Sequence, residues 1–170
     1  LAANRGPLLD EDGEASDWLE IHNTCLASVD LDGFALTDDP SGADGWIFPP
    51  ITLLRGEYLL IFASGKDRST PGGELHTNFR LRREGEYLAL VRPDGTIAHE
   101  YAQSFPAQRV GVSYGVEGAG AHYYETPTPG EENRDGVQGL TADTRFDPDR
   151  GIYEQSIAVA IASDTPGATI

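Results

Sequence analysis

Residues 10–23 read DEDGEASDWLEIHN, an acidic turn that runs directly into a short apolar segment. The first half contains Gly13 and is typical of a loop, whereas the half from Asp17 onward alternates in the manner of a β-strand. Because successive side chains of a strand point to opposite faces, one face would carry Trp18, Glu20 and His22, and the other Leu19, Ile21 and Asn23. We expect the other strands to be arranged around this one.

The rest of the chain predicts many short strands and turns. Twenty glycines and eleven prolines interrupt the sequence, a density that favours strands over long helices. The clearest local pattern is a hairpin, in which residues 87–91 and 96–101 flank the turn formers Pro93, Asp94 and Gly95. Further strands are predicted over residues 29–37, 46–48, 51–54, 58–63, 75–81 and 110–116. The predicted fold class is therefore all-β.

Two units are predicted, joined by a linker. Residues 1–133 carry the strand pattern, residues 134–145 are polar without periodicity, and residues 146–170 begin a second unit with a strand at 157–161, a turn at 164–167 and a new strand at 168–170. Because so short a unit cannot bury its own core, we expect its last strand to pair with a sheet edge or with another copy of the chain. The chain has no methionine, even at position 1, so we expect a piece of a longer protein.

The charge and hydropathy exclude two classes of partner. The 28 acidic residues outnumber the 12 basic ones and give a formal net charge of −16, which repels phosphate backbones. Arg80, Arg82 and Arg83 are the one local cluster of basic residues that could contact phosphate. Glu84 and Glu86 follow directly, which favours a solvated hairpin edge over a phosphate site. No apolar run approaches the roughly 20 residues that cross a bilayer. We therefore expect neither nucleic-acid binding nor membrane insertion.

The single cysteine, Cys25, excludes an internal disulfide. No cysteine–histidine motif surrounds it, so we expect a small buried hydrophobe. The four histidines are widely spaced, so we do not expect a zinc site.

The acidic turn offers a candidate metal site. Asp10, Asp12 and Asp17 could surround a hard cation such as calcium. The EF-hand pattern fails, because the positions that need glycine and glutamate hold Ala15 and Ile21. An irregular calcium site and a solvated acidic turn both remain as interpretations, and no other cofactor is expected.

No catalytic motif is found, so we do not expect an enzyme. Ser64 and Ser113 each lie near glycine, but neither lies in a Gly-x-Ser-x-Gly motif. A pair of carboxylates for glycoside hydrolysis can be imagined anywhere among so many acidic residues, so it carries no weight.

Four aromatic residues form a candidate ligand platform for sugar rings: Trp46, Tyr114, Tyr123 and Tyr124. The alternative is that they belong to the core, as we expect for Trp18. If residues 123 and 124 are extended, their side chains point to opposite faces, so at most one of the two lies inward.

Several of these segments, taken in order, resemble the lamin-tail domain of bacterial secreted proteins. The match covers roughly residues 1–133. The segments that carry it are residues 10–23, 29–38, 46–49, 56–66, 75–79, 85–90, 93–95, 112–115 and 127–130. Residues 146–148, with Gly151, Val159 and residues 165–170, resemble the start of the small β module at the C-terminus of chitobiase-type hydrolases.

The resemblance implies an immunoglobulin-like β-sandwich followed by a partial second β module. It also implies a non-catalytic accessory, structural or protein-interaction domain of a larger secreted or cell-surface protein. The expected partners are other domains of that protein or surface proteins. The alternative from another class is a carbohydrate-binding module attached to a polysaccharide hydrolase, for which exposed aromatic residues on one sheet face would be the evidence.

Overall fold

A computed structural model describes residues 1–118 and 120–165. It divides the chain into a first unit, Leu1–Gly136, and a second unit, Val137–Ile170. Every regular element among the described residues is a β-strand, so the prediction of an all-β fold is confirmed. These residues contain no helix that is long and apolar enough to cross a membrane.

The strands of the first unit are short, as the frequent glycines and prolines predict. They are β1 (Trp18–His22), β2 (Val29–Asp30), β3 (Ala35–Thr37), β4 (Trp46–Ile47), β5 (Thr52–Leu53), β6 (Tyr58–Phe62), β7 (Leu88–Val91), β8 (Ile97–Tyr101), β9 (Ser113–Glu117) and β10 (Gly120–Tyr124).

The sheets are antiparallel. A four-stranded sheet has the order β4-β3-β7-β8, and three further pairs are β1-β6, β2-β5 and β9-β10. In the β1-β6 pair, Trp18 lies opposite Phe62 and His22 opposite Tyr58. The predicted β7-β8 hairpin is present, with a register irregularity between Leu90 and Val91.

The main core lies between the β1-β6 pair and the four-stranded sheet, an arrangement consistent with a β-sandwich. The β1-β6 pair contributes Leu19 and Ile61, and the four-stranded sheet contributes Leu36 and Trp46. All four side chains are buried. Each large apolar side chain buried in this way contributes about 1.5–3 kcal/mol. The opposite face of β1 is also covered, because Trp18 packs with Leu1 and Phe62.

Two predicted strands are not continuous strands in the structure. Residues 29–37 divide into β2 and β3, because Phe34 N closes a turn on Leu31 O at 3.0 Å and Gly33 adopts a φ of 74°. Residues 75–81 form only isolated bridges, among them Phe62 with His76 and Ser64 with Arg80. Leu75, Thr77 and Leu81 of the predicted inner face are buried, but so is His76, which strict alternation would have placed on the outer face.

Cys25 is exposed, so the prediction that it is buried was wrong. It lies in the turn after β1, where Asn23 Oδ1 accepts a hydrogen bond from Cys25 N at 3.0 Å. Asn23, not Cys25, is the buried residue of this turn, and its amide donates to Ala27 O and Leu53 O.

The second unit contains β11 (Thr144–Asp147) and β12 (Ala160–Ser163), which pair antiparallel. Strand β11 begins inside the segment predicted as a linker, and β12 begins three residues later than the predicted strand at 157–161. Phe146 and Ile161 lie opposite each other and are about half exposed. The strand predicted at 168–170, and the end of the turn before it, lie outside the described residues.

Candidate functional site

The acidic turn is organised around the buried carboxylate of Asp10. The turn closes with Gly13 N donating to Asp10 O and Asp10 N donating to Glu14 O, and Gly13 supplies the required φ of 77°. Asp10 Oδ1 accepts from the amides of Asp12 and Glu14, and Oδ2 accepts from Ser16 Oγ at 2.7 Å. This carboxylate is therefore held by its own loop.

Lys66, from the loop after β6, fills the centre of the acidic turn. Its Nζ lies 2.6 Å from Asp10, 2.6 Å from Asp12 and 2.9 Å from Glu14. Burial alone would raise the pKa of Asp10, but hydrogen bonds from Lys66, Ser16 and the loop amides hold it well below its usual range. Hydrogen bonds to Lys66 and Arg68 likewise lower the pKa of Asp12.

The three candidate calcium ligands do not converge. Asp10 and Asp12 share the ammonium of Lys66, whereas Asp17 accepts a hydrogen bond from Asn4 N at 2.9 Å. Burial raises the pKa of Asp17. Across the described ranges, no group of three or more histidine, cysteine, aspartate or glutamate side chains is arranged to hold a metal ion. A lysine ammonium thus lies where the sequence suggested a cation.

Beneath this turn lies a serine–histidine pair that the sequence did not reveal. Ser64 Oγ lies 2.9 Å from His76 Nδ1, and both residues are buried. Within the part of the chain that the structure describes, His76 Nε2 has no hydrogen-bond partner, and it lies 3.8 Å from the carboxylates of Glu11 and Glu74. Burial, together with the charge of Lys66, lowers the pKa of His76, which favours the neutral ring.

The chemical capacity of this pair is limited by its surroundings. A nucleophilic serine needs a base that is itself oriented by a third group. Here the imidazole contacts Ser64, but its other nitrogen lies beyond hydrogen-bond distance of either carboxylate. Ser64 borders a cavity of about 470 Å³ that also contacts Asp17 and Arg80, yet its own exposure is only 4%. Ser64 Oγ also accepts a hydrogen bond from Lys66 N at 3.2 Å, so the pair supports the loop that carries Lys66.

Only half of the candidate aromatic platform is accessible. Trp46 is 2% exposed and Tyr124 1%, so both belong to the interior. Tyr114 and Tyr123 are half-buried and lie on neighbouring strands, with ring centroids 4.9 Å apart. Tyr101 packs against Tyr114 at 5.9 Å, and burial raises the pKa of Tyr101 to about 12. Of the adjacent pair, Tyr124 is the one that points inward, in agreement with the alternation predicted for a strand.

Comparison of the chain with family models, with curated proteins and with solved structures gives no match.

Proposed function

We propose that residues 1–133 form an immunoglobulin-like sandwich of the lamin-tail type, which acts as a non-catalytic accessory or protein-interaction domain of a larger secreted or cell-surface protein. The second unit would be the start of a chitobiase-type C-terminal module. The ordered motifs of the sequence and the antiparallel all-β fold support this proposal.

One observation carries the proposal: the reactive side chains that the fold brings together are bonded to one another. Lys66 pairs with the carboxylates of the acidic turn, and Ser64 with His76 lies buried beneath that turn. Except for His76 Nε2, for which no described residue is a hydrogen-bond partner, these groups are satisfied, and satisfied groups stabilise a structure. Binding would then take place on the exposed edges and faces of the sheets.

A carbohydrate-binding module is the second candidate, and Tyr114 with Tyr123 favours it. Their half-buried rings are close enough to offer a small stacking surface. Against it, both tryptophans and Tyr124 are core residues, which removes most of the aromatic area that a sugar ring would contact.

A glycan-array screen of the full chain separates the two functions. We expect no glycan binding, either with calcium or with chelator. The control is Tyr87→Ala, because Tyr87 precedes β7, its hydroxyl donates to Glu100, and it makes no ring contact with the pair. Binding that is lost in Tyr123→Ala but retained in Tyr87→Ala would replace our proposal with the carbohydrate module. Loss of binding on chelation would assign the acidic turn a role in metal binding.

A further inference from the structure

A polar cavity of about 470 Å³ lies at the end of the β1-β6 pair, beside the acidic turn. Its walls come from residues 14–17 of the turn, from residues 63–64 directly after β6, and from Arg80. Among the described residues, no aromatic ring lines it, and the apolar side chains in its walls are the methyl groups of Ala15 and Ala63. The volume is within the range of roughly 300–1,000 Å³ that small-molecule sites occupy. A ligand in this cavity would therefore be recognised through polar contacts.

Most of the polar groups that line this cavity already have partners within the protein. These pairs are Glu14 with Lys66 at 2.9 Å, Ser16 with Asp10 at 2.7 Å, and Ser64 with His76 at 2.9 Å. The charged side chains that remain are those of Asp17 and Arg80. The binding properties of the cavity thus depend on one carboxylate and one guanidinium.

Asp17 is held firmly and uses only one of its carboxylate oxygens. Its backbone O accepts from Ala63 N at 2.7 Å, and its Oδ1 accepts from Asn4 N at 2.9 Å. No donor among the described residues contacts Oδ2. A free acceptor of full negative charge therefore lies in the wall of the cavity.

Arg80 is placed by the same strand end and has no partner for its charge. Its backbone forms an antiparallel bridge with Ser64, and its side chain crosses Gly65, where an added Cβ would lie 3.4 Å from Arg80 Nε. In the described ranges, no carboxylate forms an ion pair with its guanidinium. Burial raises the pKa of Asp17, and the charge of Arg80 acts in the opposite direction, so the two groups lie near each other without contact.

A ligand that carries both charges would satisfy both groups. A guanidinium binds a carboxylate through two parallel hydrogen bonds, and a carboxylate oxygen accepts from an ammonium. We propose that this cavity binds the zwitterion of a small α-amino acid, with the ligand's carboxylate on Arg80 and its ammonium on Asp17. The methyl groups of Ala15 and Ala63 leave the remaining volume for the ligand's side chain. This site goes beyond the accessory role proposed above and does not depend on it.

The test uses the full chain and three small molecules that differ by one charged group. L-Alanine carries both groups, propionate lacks the ammonium, and ethylamine lacks the carboxylate. Titration at neutral pH and low salt is followed by NMR at the backbone amides of Ser16, Ser64 and Arg80. We expect saturable shifts with alanine and an affinity at least about ten-fold above that of either other molecule, because each of these lacks one charge-assisted hydrogen bond.

Two variants assign each ligand group to its residue. We expect Arg80→Gln to bind alanine no more tightly than the unmodified chain binds ethylamine. Likewise, Asp17→Asn should bind alanine no more tightly than the unmodified chain binds propionate. Arg83→Gln is the matched control, because it makes the same change of charge at an exposed arginine outside the cavity, and it should bind alanine as the unmodified chain does. If Asp17→Asn does not fold, the comparison of alanine with propionate tests the same contact.

Three results would overturn the inference. The first is equal binding of alanine, propionate and ethylamine, or no saturable shift with alanine. The second is equal binding of alanine by Arg80→Gln and Arg83→Gln. The third is a set of alanine-induced shifts that leaves the amides of residues 16, 64 and 80 unchanged. Glycan binding in the array would contradict the proposed function and not this site, so the two failures are distinguishable.

Discussion

At the scale of single residues, Lys66 is the side chain on which the acidic turn depends. The Asp10 side chain is fully buried, and Lys66 is its only charged partner among the described residues. We expect Lys66→Met to lower the free energy of unfolding by about 2–3 kcal/mol, because it leaves a buried carboxylate uncompensated. Urea unfolding at neutral pH measures the change.

Arg68→Gln is the matched control, because Arg68 contacts Glu11 and Asp12 of the same turn but all three side chains are well exposed. It should change stability little. If the cost of Lys66→Met arises from the lone charge, adding Asp10→Asn should recover part of it. Equal effects of the Lys66 and Arg68 substitutions would argue against the buried pair.

The acidic turn could be predicted from composition, but its partners could not. Lys66 lies 56 residues from Asp10 in sequence, and Ser64 lies 12 residues from His76. These contacts depend on the pairing of β1 with β6 and on the bridge between Phe62 and His76. A carboxylate-rich loop has the same composition whether calcium, water or lysine lies against it. The sequence therefore left calcium and solvation open as interpretations and did not indicate Lys66.

At the scale of elements, locally encoded structure was predicted best. The β7-β8 hairpin follows from its Pro-Asp-Gly turn, in which Gly95 N donates to Arg92 O and Gly95 adopts a φ of 83°. Residues 75–81 have an equally regular alternation, yet they form only bridges. Their backbone partners are Phe62 of β6 and residues 64, 67 and 68 of the loop that follows it. Periodicity within a segment carries no information on such partners.

In the turn before β7, steric contacts at position 85 favour glycine. Gly85 has a φ of 96°, and a Cβ on it would lie 2.2 Å from the carbonyl oxygen of Phe105. That carbonyl belongs to a segment paired with the turn, since Phe105 N donates to Glu86 O. We expect Gly85→Ala to cost more than about 2 kcal/mol in urea unfolding, because either the backbone or the pairing must shift.

Gly95→Ala separates this clash from the cost of a positive φ. Gly95 has a similar dihedral angle, but nothing lies within 4 Å of its added Cβ. Its cost should be limited to about 1–2 kcal/mol for a left-handed alanine. If Gly85→Ala is no less stable than Gly95→Ala, the Phe105 segment moves away from the added Cβ without a loss of stability.

At the scale of the whole molecule, stability depends on pH through groups that act in opposite directions. The pKa of His76 is lowered from its ordinary value of 6.5, chiefly by burial, so the unfolded chain binds its proton more readily. Because the pKa values of Asp10 and Asp12 are lowered, the protein also loses stability as the pH falls below 3.8, the ordinary pKa of aspartate. Asp17 and Glu20, whose pKa values are raised by burial, favour the native state as they become protonated. The formal charge of −16 also declines as pH falls, which relieves self-repulsion.

Because these contributions overlap, the difference between the unmodified chain and His76→Gln isolates the histidine. The neutral imidazole of His76 makes its full contribution to stability above pH 6.5, the ordinary pKa of histidine. That contribution falls as the pH drops through 6.5 toward the lowered pKa of the native state. The difference in the free energy of unfolding between the two chains should therefore shrink steadily from about pH 7.5 to about pH 5. Urea unfolding across this range measures it, and His99→Gln, at an exposed histidine of β8, corrects for the general loss of a histidine. A difference that stays constant or grows toward pH 5 would mean that the acidic turn accommodates a charged imidazole, with Glu11 and Glu74 as its counter-ions.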